Sequence, residues 1–216
     1  MKLLVLGASG ATGQHVCRLA QEAGWAVHAF VRSQSAASRL NPAHEHSIGD
    51  PTDPKDVARA MVDSDAVAVC LGISRRTRSP FATPVSPLDL TSRSVEAVLQ
   101  AMHAQKTRRI VYVSAFGASE SWSSIPWWGR AFLGLTQVRH SMVDHTRSEA
   151  LLARSGLDWT TLRPMMLDDA SSLDAAREMK SGDSLLKKVS REALARTVIQ
   201  ALNDHSTIGR SIALVP

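Results

Sequence analysis

At 216 residues, 44% of them apolar, the chain is long enough to bury a substantial core within one domain. Its formal charge of +5, from 25 basic and 20 acidic residues, is spread along the chain without a DNA-reading motif, so nucleic acid is not an expected partner. No stretch is long and apolar enough to span a bilayer, the N-terminal apolar run enters a glycine turn too early for a signal peptide, and Cys17 and Cys70 form no disulfide or metal pattern. The expectation is a cytoplasmic chain without membrane or metal, monomeric or a small homo-oligomer, with a small molecule as its partner.

The first two dozen residues carry the strongest signal. Leu3-Leu4-Val5-Leu6 predicts a strand, Gly7-Ala8-Ser9-Gly10-Ala11-Thr12-Gly13 a tight turn, and Val16, Leu19 and Ala20 the buried face of a helix running to Gly24. A strand, glycine turn and helix in this order make a cradle for a dinucleotide pyrophosphate: the glycines admit the phosphates to the backbone, and the helix N-terminus holds their charge. Residues 26–31 predict the second strand, which ends at Arg32-Ser33. A carboxylate here suits the ribose 2′-hydroxyl of NAD, whereas an arginine suits the 2′-phosphate of NADP. No acidic residue follows before Glu45, so Arg32, with Ser33 and Arg39 as helpers, points to NADP(H).

Residues 44–49 predict a third strand, closing on Gly49-Asp50, with Asp50 placed for the adenine side. His44 and His46 lack the third ligand that a metal needs. Pro54 opens a helix over 54–63, and the apolar run 65–72 is a strand buried on both faces, with Gly72 leaving room at its end. Residues 73–87, with Arg75, Arg76 and Arg78, read as a basic loop able to gate the site. After a helix over 88–105, the fifth strand, 110–113, delivers Ser114-Ala115-Phe116 to the carboxyl end of the sheet, where open α/β sheets bind ligands. Residues 118–135 show neither period, and their Trp122, Trp127 and Trp128 suit a wall for a flat, conjugated substrate or, equally, a dimer contact or lid anchor.

A helix from about 136 stops at Gly156 and presents His140, Ser141 and His145. The sixth strand, 157–162, is cut off by Arg163-Pro164. Residues 168–186 are polar and unassigned, Ser190 caps the last helix, and 211–215 form the last strand. Strands alternating with helices imply a doubly wound α/β fold with a mainly parallel sheet of about seven strands, ordered 3-2-1-4-5-6-7. No linker divides residues 1–216, and the substrate-side elements are 73–87, 117–140 and 164–188.

Taken together, Gly7 to Gly13, Val31-Arg32, Gly49-Asp50, Leu71-Gly72, Val113-Ser114-Ala115-Phe116, Ser155-Gly156-Leu157 and Leu162-Arg163-Pro164 resemble the atypical short-chain dehydrogenase/reductases. The likeness is greatest to the NmrA-like and flavin reductase/biliverdin-IXβ reductase branch and covers nearly the whole chain. It implies Gly10, Ala11, Thr12 and Gly13 on the pyrophosphate, Arg32 on the 2′-phosphate, Asp50 near the adenine and Leu71-Gly72 near the ribose. Ser114 and Pro164 would flank the nicotinamide. The usual Tyr and Lys, four residues apart, are missing: Ser141 and His145 stand at those positions, and Tyr112 is the only tyrosine. The expected activity is therefore hydride transfer from NADPH to a flavin, quinone or tetrapyrrole without that pair, with Ser114, His145 and His140 as the candidate catalytic groups. The alternative is an NADP(H)-binding redox sensor without turnover. A sugar-nucleotide epimerase is disfavoured because the chain is short for a second substrate domain.

Overall fold

The expected apolar runs become the inner strands of one sheet in the computed structural model, which describes residues 1–216 apart from Ala43 and Arg78. Arg78, expected in the basic loop, thus lies outside the described residues. The strands are β1 (Lys2–Leu6), β2 (Ala26–Val31), β3 (Glu45–Ile48), β4 (Ala66–Val69), β5 (Arg109–Val113), β6 (Asp158–Pro164), β7 (Met166–Asp168), β8 (Arg177–Glu178), β9 (Lys188–Ser190) and β10 (Arg210–Val215). Between them run α1 (Ala11–Glu22), α2 (Gln34–Ala37), α3 (Pro54–Met61), α4 (Leu90–Gln105), α5 (Trp127–Leu135), α6 (Val138–Arg154) and α7 (Arg191–Asn203).

The sheet order is β3-β2-β1-β4-β5-β6-β10-β8, parallel except for the short β8, which pairs antiparallel with β10. The expected seventh strand is β10, and β8, from the unassigned polar segment, adds an eighth that hydrophobic patterning could not reveal because both its residues are exposed. That segment is bracketed by β7 and β9, which pair as a second, two-stranded sheet. Every residue of β4 and β5 is buried, as a strand covered by helices on both faces requires. One core, under α1 and α7, holds Leu3, Val5, Val16, Leu194 and Val198; the other, under α3, α4 and α6, holds Leu4, Leu6, Val57, Val98 and Tyr112.

Several helix starts follow local rules. Asp53 accepts from the Lys55 N–H at 2.8 Å with Pro54 at the first helical position of α3, and Ser190 accepts from the Ala193 N–H at 3.0 Å to cap α7. The start of α4 is capped from across the core: Asp144 on α6 accepts from the Thr91 N–H at 2.8 Å and the Ser92 N–H at 3.0 Å. A buried carboxylate at a helix N-terminus satisfies orphan amides and complements the dipole. Residues 118–135 depart from the expected aperiodic loop: Ser119–Ser124 forms a 3-10 turn, and Trp127–Leu135 is the helix α5.

Candidate cofactor cradle and active site

Four parallel strands, β1, β4, β5 and β6, stand side by side, so their carboxyl ends form one continuous rim. At its centre the chain leaves β1 through Gly7, whose φ of +79° is left-handed, and whose missing Cβ would lie 2.7 Å from the Cys70 carbonyl oxygen. A Cβ on Gly13 would lie 2.1 Å from the Gly7 carbonyl oxygen. Only hydrogen at these positions lets α1 begin against β1. Gly10 caps α1 without a side-chain bond, and the first turn carries no acidic residue. The N-terminal amides of α1 are therefore left for a ligand's negative charge, whereas α2, α3 and α7 each have a side-chain cap.

Above this turn opens a cavity of about 740 Å³ lined by Gly7, Ser9, Gly10, Ala11, Arg32, Asp50, Leu71 and Gly72, all expected there. Thr12 and Gly13 lie behind it in α1, and Ser33 is turned to structural use, its hydroxyl accepting from the Ala36 N–H at 3.2 Å. Asp50 is exposed, and its Oδ1 accepts from the Thr52 N–H and hydroxyl, both at 2.8 Å; the backbone bond leads in holding its carboxyl below the usual carboxylate range. Arg39 reaches the cavity wall beside Arg32, and the wall also includes Arg93, Ser74 and Ser86, which sequence reading missed. Arg32, Arg39 and Arg93 have no ion-pair partner among the described residues. Three unpaired guanidiniums around a glycine-lined cavity fit an anionic dinucleotide.

A family model described as NAD(P)H-binding matches residues 7–205. The chain belongs to that family. A curated relative, the uncharacterized sugar epimerase YhfK of Bacillus subtilis (strain 168), is 26% identical over 220 residues, covering 99% of this chain and 94% of its own. Among solved structures, ChuY, an anaerobillin reductase from Escherichia coli O157:H7, superposes with a TM-score of 0.79 at 20% identity, covering 100% of this chain and 97% of its own. A short-chain dehydrogenase/reductase from Veillonella parvula DSM 2008 in complex with NADP gives 0.79 at 17% identity, covering 100% and 94%. The fold is shared with that short-chain dehydrogenase/reductase, and the cradle that Gly7 and Gly13 keep open fits NAD(P)H.

Beyond the cavity, the Ser114 N–H donates to the Leu162 carbonyl at 2.8 Å and the Phe116 N–H to the Pro164 carbonyl at 3.0 Å. These bonds extend the β5–β6 ladder and set Ser114, Ala115, Phe116 and Pro164 together at the rim. Ser114 is buried, and its hydroxyl donates to Glu149 Oε1 at 2.6 Å. Glu149, on α6, also accepts from the Ser119 hydroxyl at 2.5 Å and from Arg163 Nη2 at 2.6 Å and Nε at 3.0 Å. Arg163 forks onward to Glu120, with Nη2 at 3.0 Å from Oε2. Burial alone would lower the Arg163 guanidinium's pKa, but its bonds to Glu149 and Glu120 outweigh that and raise it. The Ser114 proton is thus committed to a carboxylate, which leaves its oxygen as an acceptor toward the rim. Glu149 was not anticipated, although it falls on a stripe with Ser141, Asp144, His145 and Ser148 whose helical spacing marks a buried face.

Two expectations are corrected. His145 does not face the rim as a proton donor: it is buried, and its Nδ1 shares a hydrogen bond with the Tyr112 hydroxyl at 2.5 Å behind β5. Burial pushes its imidazole down to about 4, against opposition from Asp144 and Glu149, and pushes the Tyr112 hydroxyl up. Neither group serves as an acid near neutral pH. Nor do Trp122, Trp127 and Trp128 wall the cavity; Trp127 and Trp128 point to solvent from α5, and Trp122 lies in the 3-10 turn. His140 stays half-buried in the first turn of α6, 3.5 Å from Arg139 Nε. His44 is bonded to Gln21 at 3.0 Å, and His46 is exposed on the edge strand.

The buried imidazole has a consequence for stability. The unfolded state takes up the His145 proton near pH 6.5 and the folded state only near 4, so its contribution is complete above 6.5 and is lost as pH falls toward 4. His145→Gln keeps an acceptor for Tyr112 and cannot titrate. Its loss of stability between about pH 7 and pH 4.5 is expected to be about 2 kcal/mol smaller than the wild type's, read from urea midpoints. Equal acid sensitivity would mean His145 is not held neutral.

Proposed function

We propose that the protein is an NADPH-dependent reductase that passes hydride to a flat conjugated acceptor, a flavin, quinone or linear tetrapyrrole, with the proton drawn from water. The observation that carries this reading is that Ser114 gives its proton to Glu149 while the only tyrosine is sealed behind β5. Alcohol–ketone chemistry needs a positioned acid, and an acceptor that protonates from solvent does not. The bound dinucleotide would supply a hydride from its nicotinamide. Residues of the chain bind and orient: the Gly7–Gly13 turn with Ser9, Ala11 and Thr12 holds the pyrophosphate, Arg32 and Arg39 the 2′-phosphate, Asp50 the adenine side, and Leu71-Gly72 the ribose. Ser114 Oγ would accept an N–H from the carboxamide or the acceptor, beside Ala115, Phe116 and Pro164, and His140 would anchor an acidic group of the acceptor.

The relatives' names divide between reductase and epimerase. YhfK spans almost the same length, so length does not argue against epimerase chemistry. The absence, among the described residues, of a free acid–base pair around Ser114 does. The same observation keeps a second reading open, an NADP(H)-binding redox sensor without turnover. NADPH oxidation followed with FMN, a quinone and biliverdin as acceptors separates the two: turnover with one of them is expected, and none with any, alongside micromolar NADPH binding, overturns the reductase reading.

Cofactor choice is tested separately. Arg32→Ala is expected to weaken NADPH by about 30-fold, or about 2 kcal/mol for one charge-assisted contact, and to leave NADH within about twofold. Isothermal titration with both cofactors checks this, and equal losses would remove Arg32 from the 2′-phosphate.

A further inference from the structure

The helix α5 is built inside out. Its exposed positions are Trp127, Trp128, Ala131, Phe132 and Leu135, every one apolar, while Gly129, Arg130, Leu133 and Gly134 form the half-buried side, and none of its residues is buried. Trp127 is 75% and Leu135 78% exposed. Phe81, from the 73–87 segment, extends the stripe by meeting Phe132 edge-on, with ring centroids 6.0 Å apart. The Gln137 N–H donates to the Pro80 carbonyl at 2.9 Å, which ties that segment to the corner between α5 and α6. Single exposed apolar residues need no explanation, but a contiguous aromatic stripe marks a surface that something covers.

The charge around the stripe indicates what covers it. Neither residues 73–88 nor residues 125–143 contain an Asp or Glu, while Arg75, Arg76, Arg130 and Arg139 all lie within these two stretches. A second copy docked face to face would set arginine against arginine with no acid from either stretch to pair with it. An anionic bilayer surface takes both features at once, with rings and leucine at the headgroup boundary and the exposed Arg76 and Arg139 on lipid phosphates, Arg75 and Arg130 being half-buried. At 1.5 Å per residue, the nine residues of α5 reach only about 14 Å, against a hydrocarbon core about 30 Å thick, so the helix would lie on a membrane and not cross it. No helix among the described residues is long and apolar enough to cross, and the expectation of no membrane, drawn from that feature of the sequence, does not bear on surface binding. We propose that α5, together with the 73–87 segment, docks the protein on anionic lipid surfaces. This does not depend on the reductase reading.

The test is co-sedimentation of the full chain with vesicles of phosphatidylcholine alone and of phosphatidylcholine with about one-third phosphatidylglycerol. Binding to the anionic vesicles is expected to be at least about tenfold stronger, to weaken with salt and to shift tryptophan emission to the blue. Phe132→Gln/Leu135→Gln, both on the exposed side, is expected to lose about tenfold or more of that binding while NADPH affinity and melting temperature stay unchanged. Failure to bind anionic vesicles at low salt, equal binding to both compositions, or a double variant that binds like wild type would each overturn the proposal. A wild-type dimer that the double variant converts to monomer, with no vesicle binding by either, would make this face a self-interface instead.

Discussion

Gly13→Ala is expected to weaken NADPH binding by at least about 100-fold and to lower the stability of the apoprotein by about 1–3 kcal/mol. The new methyl group would lie 2.1 Å from the Gly7 carbonyl oxygen and 2.8 Å from its carbon, both backbone atoms that no rotamer change can move aside. Either the first turn of α1 lifts from β1 or the Gly7 turn opens. Both displace the N-terminal amides that the pyrophosphate needs. Gly10→Ala is the matched control: its nearest contact is 3.1 Å, and its φ of −76° suits any residue, so a loss of about tenfold or less is expected. Fluorescence titration with NADPH and thermal melts of both variants read the contrast. If Gly13→Ala binds like wild type, the turn is not the pyrophosphate cradle.

The parts of the fold that were legible in the sequence are those set by local rules. The expected bounds of β2 match residue for residue, Pro54 starts α3, Ser190 caps α7, and Gly156 follows α6 with a φ of +67°. The glycine turn was legible for the same reason, since its glycine spacing lies within seven consecutive residues, whereas the approach of the Cys70 carbonyl to Gly7 was not. α5 was missed although Trp127, Trp128, Ala131, Phe132 and Leu135 recur at helical spacing, because Gly129 and Gly134 lower its helix propensity and the segment reads as a loop. The eighth strand was hidden because β8 is short, exposed and held by an edge. At the rim, the sequence placed Ser114 but not its chemistry, which depends on Glu149, Arg163 and Glu120 meeting from α6, β6 and the 3-10 turn. Arg163 had been read as part of a strand ending, and nothing local ties it to two carboxylates. His145 shows the converse: alignment placed it at the lysine position, and only the packing of α6 against β5 shows that its ring is turned to Tyr112 and away from the rim.

Glu149→Ala is the second large effect, expected to destabilise the protein by about 3–5 kcal/mol. Both carboxylate oxygens are in use, and the variant would leave Arg163 buried with only Glu120, while Ser114 and Ser119 lose their acceptor. The cost arises less from the bonds lost than from a charge left short of partners in the interior. Glu149→Gln keeps the shape and one acceptor oxygen, so it is expected to cost less and to fold well enough for kinetics. There it discriminates between roles. With the amide in place, the Ser114 proton is no longer directed to a carboxylate, so its oxygen presents a poorer acceptor to the rim. NADPH affinity, set at the far end of the cradle, is expected to change by less than about threefold while turnover with the best acceptor falls by at least about tenfold. A Glu149→Gln enzyme with wild-type turnover and reduced stability alone would make the Ser114–Glu149–Arg163 network a structural staple and remove Ser114 orientation from the mechanism. Loss of NADPH binding in step with turnover would instead place the network's influence on the cofactor and not on the acceptor.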